Sequence, residues 1–218
     1  MSKNDVITVL KGPDRVRKRP CVVFGSTDSQ GALTAVLDIV NVFVAEAING
    51  FCTKISVTLC NDGSIKVLGN GRPMKLCLNE NPTRWKELFC DLTASPRNGV
   101  DPNSTHNALF GDTRPDSGKI PERTGVLYAC SVQFCSEFMV IDAFENGKRT
   151  TVKFEKGLCV EAPRFARCEC ANGNLIHFKL DKEVFPDPIV AKHPIEQYLN
   201  DNLKDLPLCL WEVKFENT

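Results

Sequence analysis

The chain has 218 residues and a mass of 24.2 kDa, which is enough to fill one hydrophobic core. Its 27 basic residues balance its 27 acidic ones, and this argues against a protein that coats nucleic acid, since such proteins carry a basic excess. Hydrophobic residues make up 42% and charged residues 25%, so the composition excludes a disordered chain. The longest apolar stretch, residues 32–48, is interrupted by Asp38, Asn41 and Glu46. We therefore expect no membrane span, and the lack of an apolar core in the first residues predicts a cytoplasmic location.

The eleven cysteines predict reduced thiols that pack as small apolar residues. The only tight pair is Cys168-Glu169-Cys170, and the sequence contains no C-x-x-C. A structural zinc site uses four ligands in two tight pairs, so we expect no metal site.

The first half of the chain predicts helices around one hairpin. Residues 7–10 read as extended, and a short basic helix over residues 15–19 ends at Pro20. Apolar residues recur at helical spacing from residue 33 to residue 48, and Gly50 marks the end of that helix. Alternating strands at 54–59 and 64–68 flank the turn Asn61-Asp62-Gly63.

The second half predicts more strands than helices. A helix over 83–92 leads to a loop over 93–123, rich in proline and glycine, which indicates a lid or a disordered segment. A helix over 124–137 precedes a hairpin of strands 138–141 and 150–154. Strands at 159–168 and 174–180, a helix at 194–205 and a strand at 208–215 complete the chain. This order predicts an α+β, two-layer fold, with a mixed, mostly antiparallel sheet and helices on one face.

Short motifs in a constant order resemble the N-terminal ATPase region of the B subunits of bacterial DNA gyrase and topoisomerase IV. The matching segments extend over about residues 7–213 and are 10–12, 16–20, 25–27, 38–40, 46–47, 50–55, 61–65, 70–72, 146–148, 154–157 and 181–185. The resemblance implies the GHKL ATPase fold over a single domain, residues 1–218. It also implies that the transducer, metal-binding and DNA-cleavage domains of the complete protein are absent.

The first helix of that family carries the groups that activate water and hold Mg²⁺, and here they are altered. The resemblance places Asp38 at the general-base position, one methylene shorter than the family's glutamate. It places Asn41 next to it, Val42 where an asparagine holds the metal, and Ala45 where a further acid stands. An isopropyl group cannot coordinate Mg²⁺, which requires oxygen ligands.

The second motif, around Gly69-Asn70-Gly71-Arg72-Pro73, keeps part of its pattern. The acid that accepts the adenine amine is replaced by Gly69, and the last glycine is replaced by Pro73, which removes an N–H. Asn70, Gly71 and Arg72 are retained, and Asn70-Gly71 is equally well interpreted as a turn.

The glycine-rich lid and the later threonine motif are the most altered. The lid reads Pro121-Glu122-Arg123-Thr124-Gly125, in which Gly125 is the remaining glycine and Glu122 adds negative charge where phosphate would dock. The threonine that contacts adenine is replaced by Asn174, and the arginine expected in the second hairpin by Thr151.

These losses fall on groups that would touch nucleotide or metal, so we expect a stand-alone pseudo-ATPase that keeps the fold and acts as a binding or regulatory module. Residual pocket positions are Asn41, Asn70, Gly71, Arg72, Gly125 and Asn174, with Asp38 as a weakened general base and no metal ligands. One alternative is weak or altered binding of ATP and Mg²⁺. A second is nucleic-acid binding through the basic helix at 15–19. Expected partners are a gyrase or topoisomerase subunit or a second copy, with DNA contacted only indirectly.

Overall fold

In the computed structural model of the protein, which describes residues 10, 12–90, 105–112, 119–206 and 208–216, seven strands form one sheet. The strand order is β5-β4-β3-β6-β2-β1-β7, and every pairing is antiparallel except the parallel pair of β1 and β7. The predicted mixed, mostly antiparallel sheet is confirmed. The strands are β1 Lys54–Leu59, β2 Ile65–Gly69, β3 Ser136–Glu145, β4 Lys148–Glu155, β5 Leu158–Arg167, β6 Gly173–Leu180 and β7 Leu210–Phe215.

The longest helix, α3, begins at a polar cap. The Asp28 carboxylate accepts hydrogen bonds from the backbone N–H groups of Gln30 and Gly31, which have no partner within the helix. After the last turn, Gly50 adopts a φ of +79°, a left-handed conformation that glycine accepts without strain. The helices are α1 Asp14–Arg17, α2 Pro20–Phe24, α3 Ser29–Ile48, α4 Arg84–Phe89, α5 Thr105–Ala108, α6 Val126–Phe134 and α7 Lys192–Leu203.

The hydrophobic core lies between the helices and one face of the sheet. Alternate strand residues such as Ile55, Val67 and Ile176 are fully or almost fully buried, as expected for strands with one covered face. Trp85 and Phe89 of α4 pack against Phe154 of β4, with ring centroids 6.1 Å and 6.0 Å apart. The predicted single helical layer on the sheet is confirmed.

Helix α3 is long and apolar enough to cross a membrane by length and composition, but its environment is protein. In an 18-residue apolar window of this helix, 78% of the residues are buried inside the fold. Even Asp38, Asn41 and Glu46 are at most 3% exposed. Its near-continuous apolar surface is explained by packing on all sides.

Two predicted elements need correction. Pro20 follows the basic helix and also occupies the first turn of α2. A proline fits there because the first N–H groups of a helix have no intrahelical partner. The predicted loop over 93–123 contains the helix α5, which its proline and glycine content concealed. The prediction of an extended segment at 7–9, and those of a lid at 93–104 and 113–118, lie outside the described residues.

Candidate functional site

A cleft of about 320 Å³ opens between α3, the segment before α6, and α7. Its walls combine two buried polar residues of α3 with three residues of the altered lid. The lining residues are Thr34, Leu37, Asp38, Asn41, Pro121, Glu122, Arg123 and Tyr198. The sequence-predicted Asp38 and Asn41 therefore lie in one site.

The Asp38 carboxylate is held by the guanidinium of Arg123. Nε and Nη2 of Arg123 donate to the two carboxylate oxygens at 2.7 Å and 2.6 Å. Asp38 is 1% exposed at its side chain, whereas Arg123 is 35% exposed and reaches the cleft. Burial raises the pKa of Asp38 to about 6, although the hydrogen bonds and charge of Arg123 act in the opposite direction. Both oxygens are thus engaged by a neighbouring cation.

Asn41 anchors the lid segment and the last helix to α3. Its Nδ2 donates to the backbone carbonyl of Arg123 at 2.9 Å, and its Oδ1 accepts from the Tyr198 hydroxyl at 2.5 Å. The Arg123 guanidinium also lies 4.6 Å from the centre of the Tyr128 ring. Both ends of the Asn41 amide are therefore hydrogen-bonded to protein groups.

A second ionic cluster lies two turns further along α3, around Glu46. Arg72 donates to Glu46 from its backbone N–H, its Nε and its Nη2, the last at 2.7 Å. His106 of α5 lies with its Nε2 3.1 Å from the same carboxylate. Burial raises the pKa of Glu46, but the hydrogen bonds from His106 and Arg72 outweigh it and leave the pKa below its ordinary value. The cluster joins α3 to the segment after β2 and to α5.

Aromatic rings enclose the Arg72 guanidinium in this cluster. Its central carbon lies 3.9 Å from the Phe51 ring centre and 4.7 Å from that of Phe110. Its Nη1 donates to Asp112 at 3.0 Å. His106 has an exposure of 0%, because it packs against Phe110 and Glu46.

Asn70 and Gly71, the other retained residues of the second motif, make structural contacts. Asn70 is exposed, and its Oδ1 accepts from the backbone N–H groups of Thr53 and Lys54 at 2.9 Å each. A Cβ at Gly71 would lie 3.2 Å from Oε2 of Glu46, so a side chain there would crowd the Arg72 cluster. The turn interpretation accounts for the Asn70 bonds.

Asn174 and Gly125 also belong to the scaffold. Asn174 is 2% exposed, accepts from the Met74 backbone N–H at 2.7 Å and donates to the Arg72 carbonyl at 2.7 Å. It therefore binds the segment after β2 to β6 across the sheet. Gly125 precedes α6 with a φ of +110°, a conformation that favours glycine.

Packed side chains lie at the position that the resemblance assigns to the metal and beside the one that it assigns to adenine. Val42, at the metal position, is 1% exposed. Phe43 lies against Gly69 so closely that a Cβ at position 69 would overlap its ring. Among the described residues, no group of three or more His, Cys, Asp or Glu side chains is placed to hold a metal ion.

Two other sequence-predicted sites have internal partners. Thr151, which stands where the resemblance expects an arginine, hydrogen-bonds the buried Asp142, to which Arg149 is also paired at 2.7 Å. In the basic helix, Arg17 donates to Asp181 at 2.7 Å and to Glu183 at 3.0 Å. This basic segment is thus partly engaged in holding α1 to the body of the fold.

The comparisons with known proteins lead to one group. The chain is 28% identical to the B subunit of DNA topoisomerase 4 from Staphylococcus epidermidis over 97% of its length, and 29% identical to the B subunit of DNA gyrase from Thermotoga maritima over 88%. In fold it matches the 43K ATPase domain of Thermus thermophilus gyrase B, solved in complex with an aminocoumarin, with a TM-score of 0.72 over 94% of this chain and 49% of that one at 24% identity. The chain resembles the gyrase B ATPase domain. No family model matches it.

This confirms the predicted resemblance and the GHKL-type α+β fold. The chain spans about 30% of the length of these topoisomerase and gyrase subunits. A 38% identical stretch to the B subunit of Staphylococcus aureus DNA topoisomerase 4 covers half of this chain. The similarity therefore concerns the ATPase region, and activities of the complete subunits do not transfer with it.

Sequence reasoning missed the residues that give both clusters their character. Arg123 was noted only as part of the altered lid, and nothing near it in sequence marks it as the partner of Asp38, 85 residues away. Tyr198 and His106 carried no signal, because each reaches its site from an element distant in sequence, 157 and 60 residues from Asn41 and Glu46.

Proposed function

We propose that this chain is a degenerate gyrase-B-type ATPase domain that has lost ATP hydrolysis and acts as a binding or regulatory module. The observation that carries the proposal is the pairing of Asp38 with Arg123. A general base must lie within hydrogen-bond reach of the water that it activates, and the Asp38 side chain is only 1% exposed. Both oxygens of Asp38 accept hydrogen bonds from Arg123, at 2.7 Å and 2.6 Å.

The nucleotide-binding positions give independent support. Leaving the adenine amine without an acceptor costs about 1–3 kcal/mol, and the acceptor is lost at Gly69. The Phe43 ring occupies the space beside Gly69, so an acidic side chain at this position would collide with it. Val42 offers no oxygen to Mg²⁺ and is buried. The amide of Asn174 cannot replace the lost threonine hydroxyl without giving up its bonds to Arg72 and Met74.

The lid segment also opposes a bound triphosphate. Family lids wrap phosphates in backbone N–H groups of glycines. Here Pro121 has no N–H, Glu122 is exposed and negative, and Arg123 is turned onto Asp38. Each of these changes weakens the attraction for phosphate or replaces it with repulsion.

Calorimetric titration with ATP and Mg²⁺, together with a phosphate-release assay, tests the proposal. The B subunit of topoisomerase 4 from S. epidermidis, measured in parallel, is the positive control. We expect no turnover and no binding in the micromolar range. Phosphate release above that of a blank without protein would overturn the proposal. Binding without turnover would support the alternative of an altered ATP-binding protein.

A matched pair of variants separates the two obstacles. Arg123→Gly frees the Asp38 carboxylate, whereas Val42→Asn supplies an amide oxygen for the metal. We expect neither variant alone to hydrolyse ATP, because each leaves the other defect in place. Turnover in Arg123→Gly alone would show that the Asp38 pair was the sole barrier.

The partner that we propose is a type IIA topoisomerase subunit, since the relatives are themselves subunits of such enzymes. Light scattering of the chain alone, and after mixing with the gyrase B protein of the same organism, tests this directly. A mass equal to the sum of the two chains supports the proposal. Unchanged separate masses, with the chain monomeric, would contradict it, and a dimer of the chain alone would favour self-association.

A further inference from the structure

The connection from β5 to β6 carries two cysteines separated by one residue. Cys168 is half-buried and Cys170 is exposed. Other described cysteines are in different surroundings: burial raises the pKa of Cys135 to about 12 and that of Cys209 to about 11, which keeps both as thiols. Cys21 is exposed as well, and no other cysteine lies near it in sequence.

Two hydrogen bonds hold this connection against the turn between β3 and β4. At its start the backbone N–H of Cys168 donates to the Gly147 carbonyl at 3.0 Å. At its end the Asn172 side chain accepts from the backbone N–H of Asn146 at 2.8 Å. Because both ends are fixed, the two thiols stay on the same short surface loop.

The two cysteines are separated by one residue, which makes their thiols neighbours on this loop. The pKa of Cys170 is raised, first by a side-chain hydrogen bond with Cys168 and then by burial and by the charge of Cys168. The guanidinium of Arg149, in the neighbouring strand β4, acts in the opposite direction and favours a thiolate. Arg149 is itself held in place by Asp142 at 2.7 Å.

We propose that Cys168 and Cys170 form a dithiol that closes to an intramolecular disulfide by exchange with a small-molecule disulfide. The exposed Cys170 thiolate attacks one sulfur of the small disulfide, whose other half leaves as a thiolate. Cys168 then attacks the Cys170 sulfur of the mixed disulfide and releases the second half. Two electrons pass from the cysteines to the small disulfide, and the two cysteine protons end on the two released thiols.

Equilibration of the whole chain with mixtures of reduced and oxidised glutathione tests the proposal. After alkylation of free thiols, peptide mass spectrometry reads the state of each cysteine. We expect the peptide with residues 168 and 170 to become lighter by two hydrogens and to remain unalkylated in oxidising mixtures. Cys21 serves as the internal control, because it is exposed and has no neighbouring cysteine in sequence, so we expect it to form a mixed disulfide with glutathione.

The variant Cys168→Ser removes the resolving thiol and leaves the exposed one. We expect glutathione to accumulate on Cys170 in this variant and not in the natural chain, with an unchanged unfolding midpoint as evidence of folding. The proposal is overturned if Cys170 of the natural chain carries glutathione as Cys21 does, or if both thiols remain alkylated in every mixture.

Discussion

Helix α3 buries two carboxylates, Asp38 and Glu46, each paired with an arginine, yet their pKa values move in opposite directions. Burial raises that of Asp38 to about 6, whereas that of Glu46 is lowered. The described side-chain donors to Asp38 both belong to Arg123. Glu46 is bound by Arg72 and His106 together. The number of donors, and not the presence of a cation alone, decides whether a buried acid keeps its charge.

The two clusters also differ in what they connect. The Glu46 cluster ties α3 to α5 and to the segment after β2, and aromatic rings cover its arginine. The Asp38 cluster borders an open cleft, and about a third of its arginine side chain is accessible. We therefore expect the Glu46 region to dominate stability and the Asp38 region to dominate the pH response.

The largest expected effect is that of Glu46→Gln. It replaces the carboxylate shared by Arg72 and His106 with a neutral amide and leaves Asp112, at 3.0 Å, as the remaining acidic partner of Arg72. Removing one partner of a buried pair costs about 3–5 kcal/mol of unfolding free energy. Urea denaturation at pH 7 measures this. The control is Glu216→Gln, which removes an ion pair of 2.7 Å with Lys66 in which both side chains are exposed to solvent, so only a small loss is expected. Equal losses in the two variants would contradict the comparison.

The second prediction concerns pH and the variant Asp38→Asn. The folded chain binds the Asp38 proton with a pKa of about 6, against an ordinary value of 3.8, so stability contributed by Asp38 falls as the pH rises through this window. The full difference between these two pKa values corresponds to roughly 3 kcal/mol of unfolding free energy. The unfolding free energy of the natural chain minus that of Asp38→Asn is measured from pH 3.5 to 7, a window chosen from these two values.

That difference is expected to decrease with rising pH. The contribution of Glu46 to stability changes with pH in the opposite direction. Because the pKa of Glu46 is lowered in the folded chain, its contribution is present above the ordinary pKa and is lost as the pH falls through the folded pKa. A difference curve for Asp38→Asn that is flat or that rises with pH would contradict the assignment.

A smaller effect is expected from Arg72→Lys. Lysine keeps the charge, but it cannot reproduce the forked hydrogen bonds to Glu46 or the stacking on Phe51, and we expect a loss of about 2 kcal/mol. Thermal or urea unfolding measures it. The matched control is Arg164→Lys at a side chain that is 79% exposed, where the change stays within about 0.5 kcal/mol. Indistinguishable midpoints for the two variants would refute the role of the aromatic enclosure.

The smallest effect is expected from Arg123→Lys, with a loss of about 1 kcal/mol, because one of two hydrogen bonds to Asp38 is removed at the edge of the cleft. With a weaker partner, the pKa of Asp38 rises further above about 6. Carbon NMR titration of the Asp38 carboxyl group reads this value directly. A pKa that falls in the variant would show that Arg123 does not stabilise the ionised form.

The regular elements could be predicted from the sequence because each has a local signal. The spacing of apolar residues identified α3, and alternation with an Asn-Asp-Gly turn identified β1 and β2 to within one residue. The resemblance implied a mixed sheet with helices on one face, but the order of the strands was not predicted, because no local pattern contains it.

The clusters could not be predicted in the same way, because their partners are brought together only by tertiary packing. Nothing near Arg123 in sequence indicates that it reaches Asp38, 85 residues away. The helical turn of α5 was hidden by flanking prolines and glycines, and with it the burial of His106. Side-chain pairing over such distances depends on the fold and not on the pattern around either residue.

The contact of Phe43 with Gly69 constrains which side chain position 69 can carry. An aspartate introduced at position 69 would collide with the aromatic ring before it could meet any ligand. The ring would first have to be exchanged for a smaller side chain, which empties part of the core and destabilises the chain, by about 3–5 kcal/mol for exchange to alanine. A carboxylate at position 69 therefore requires a compensating change at position 43, and the packing of the core opposes it.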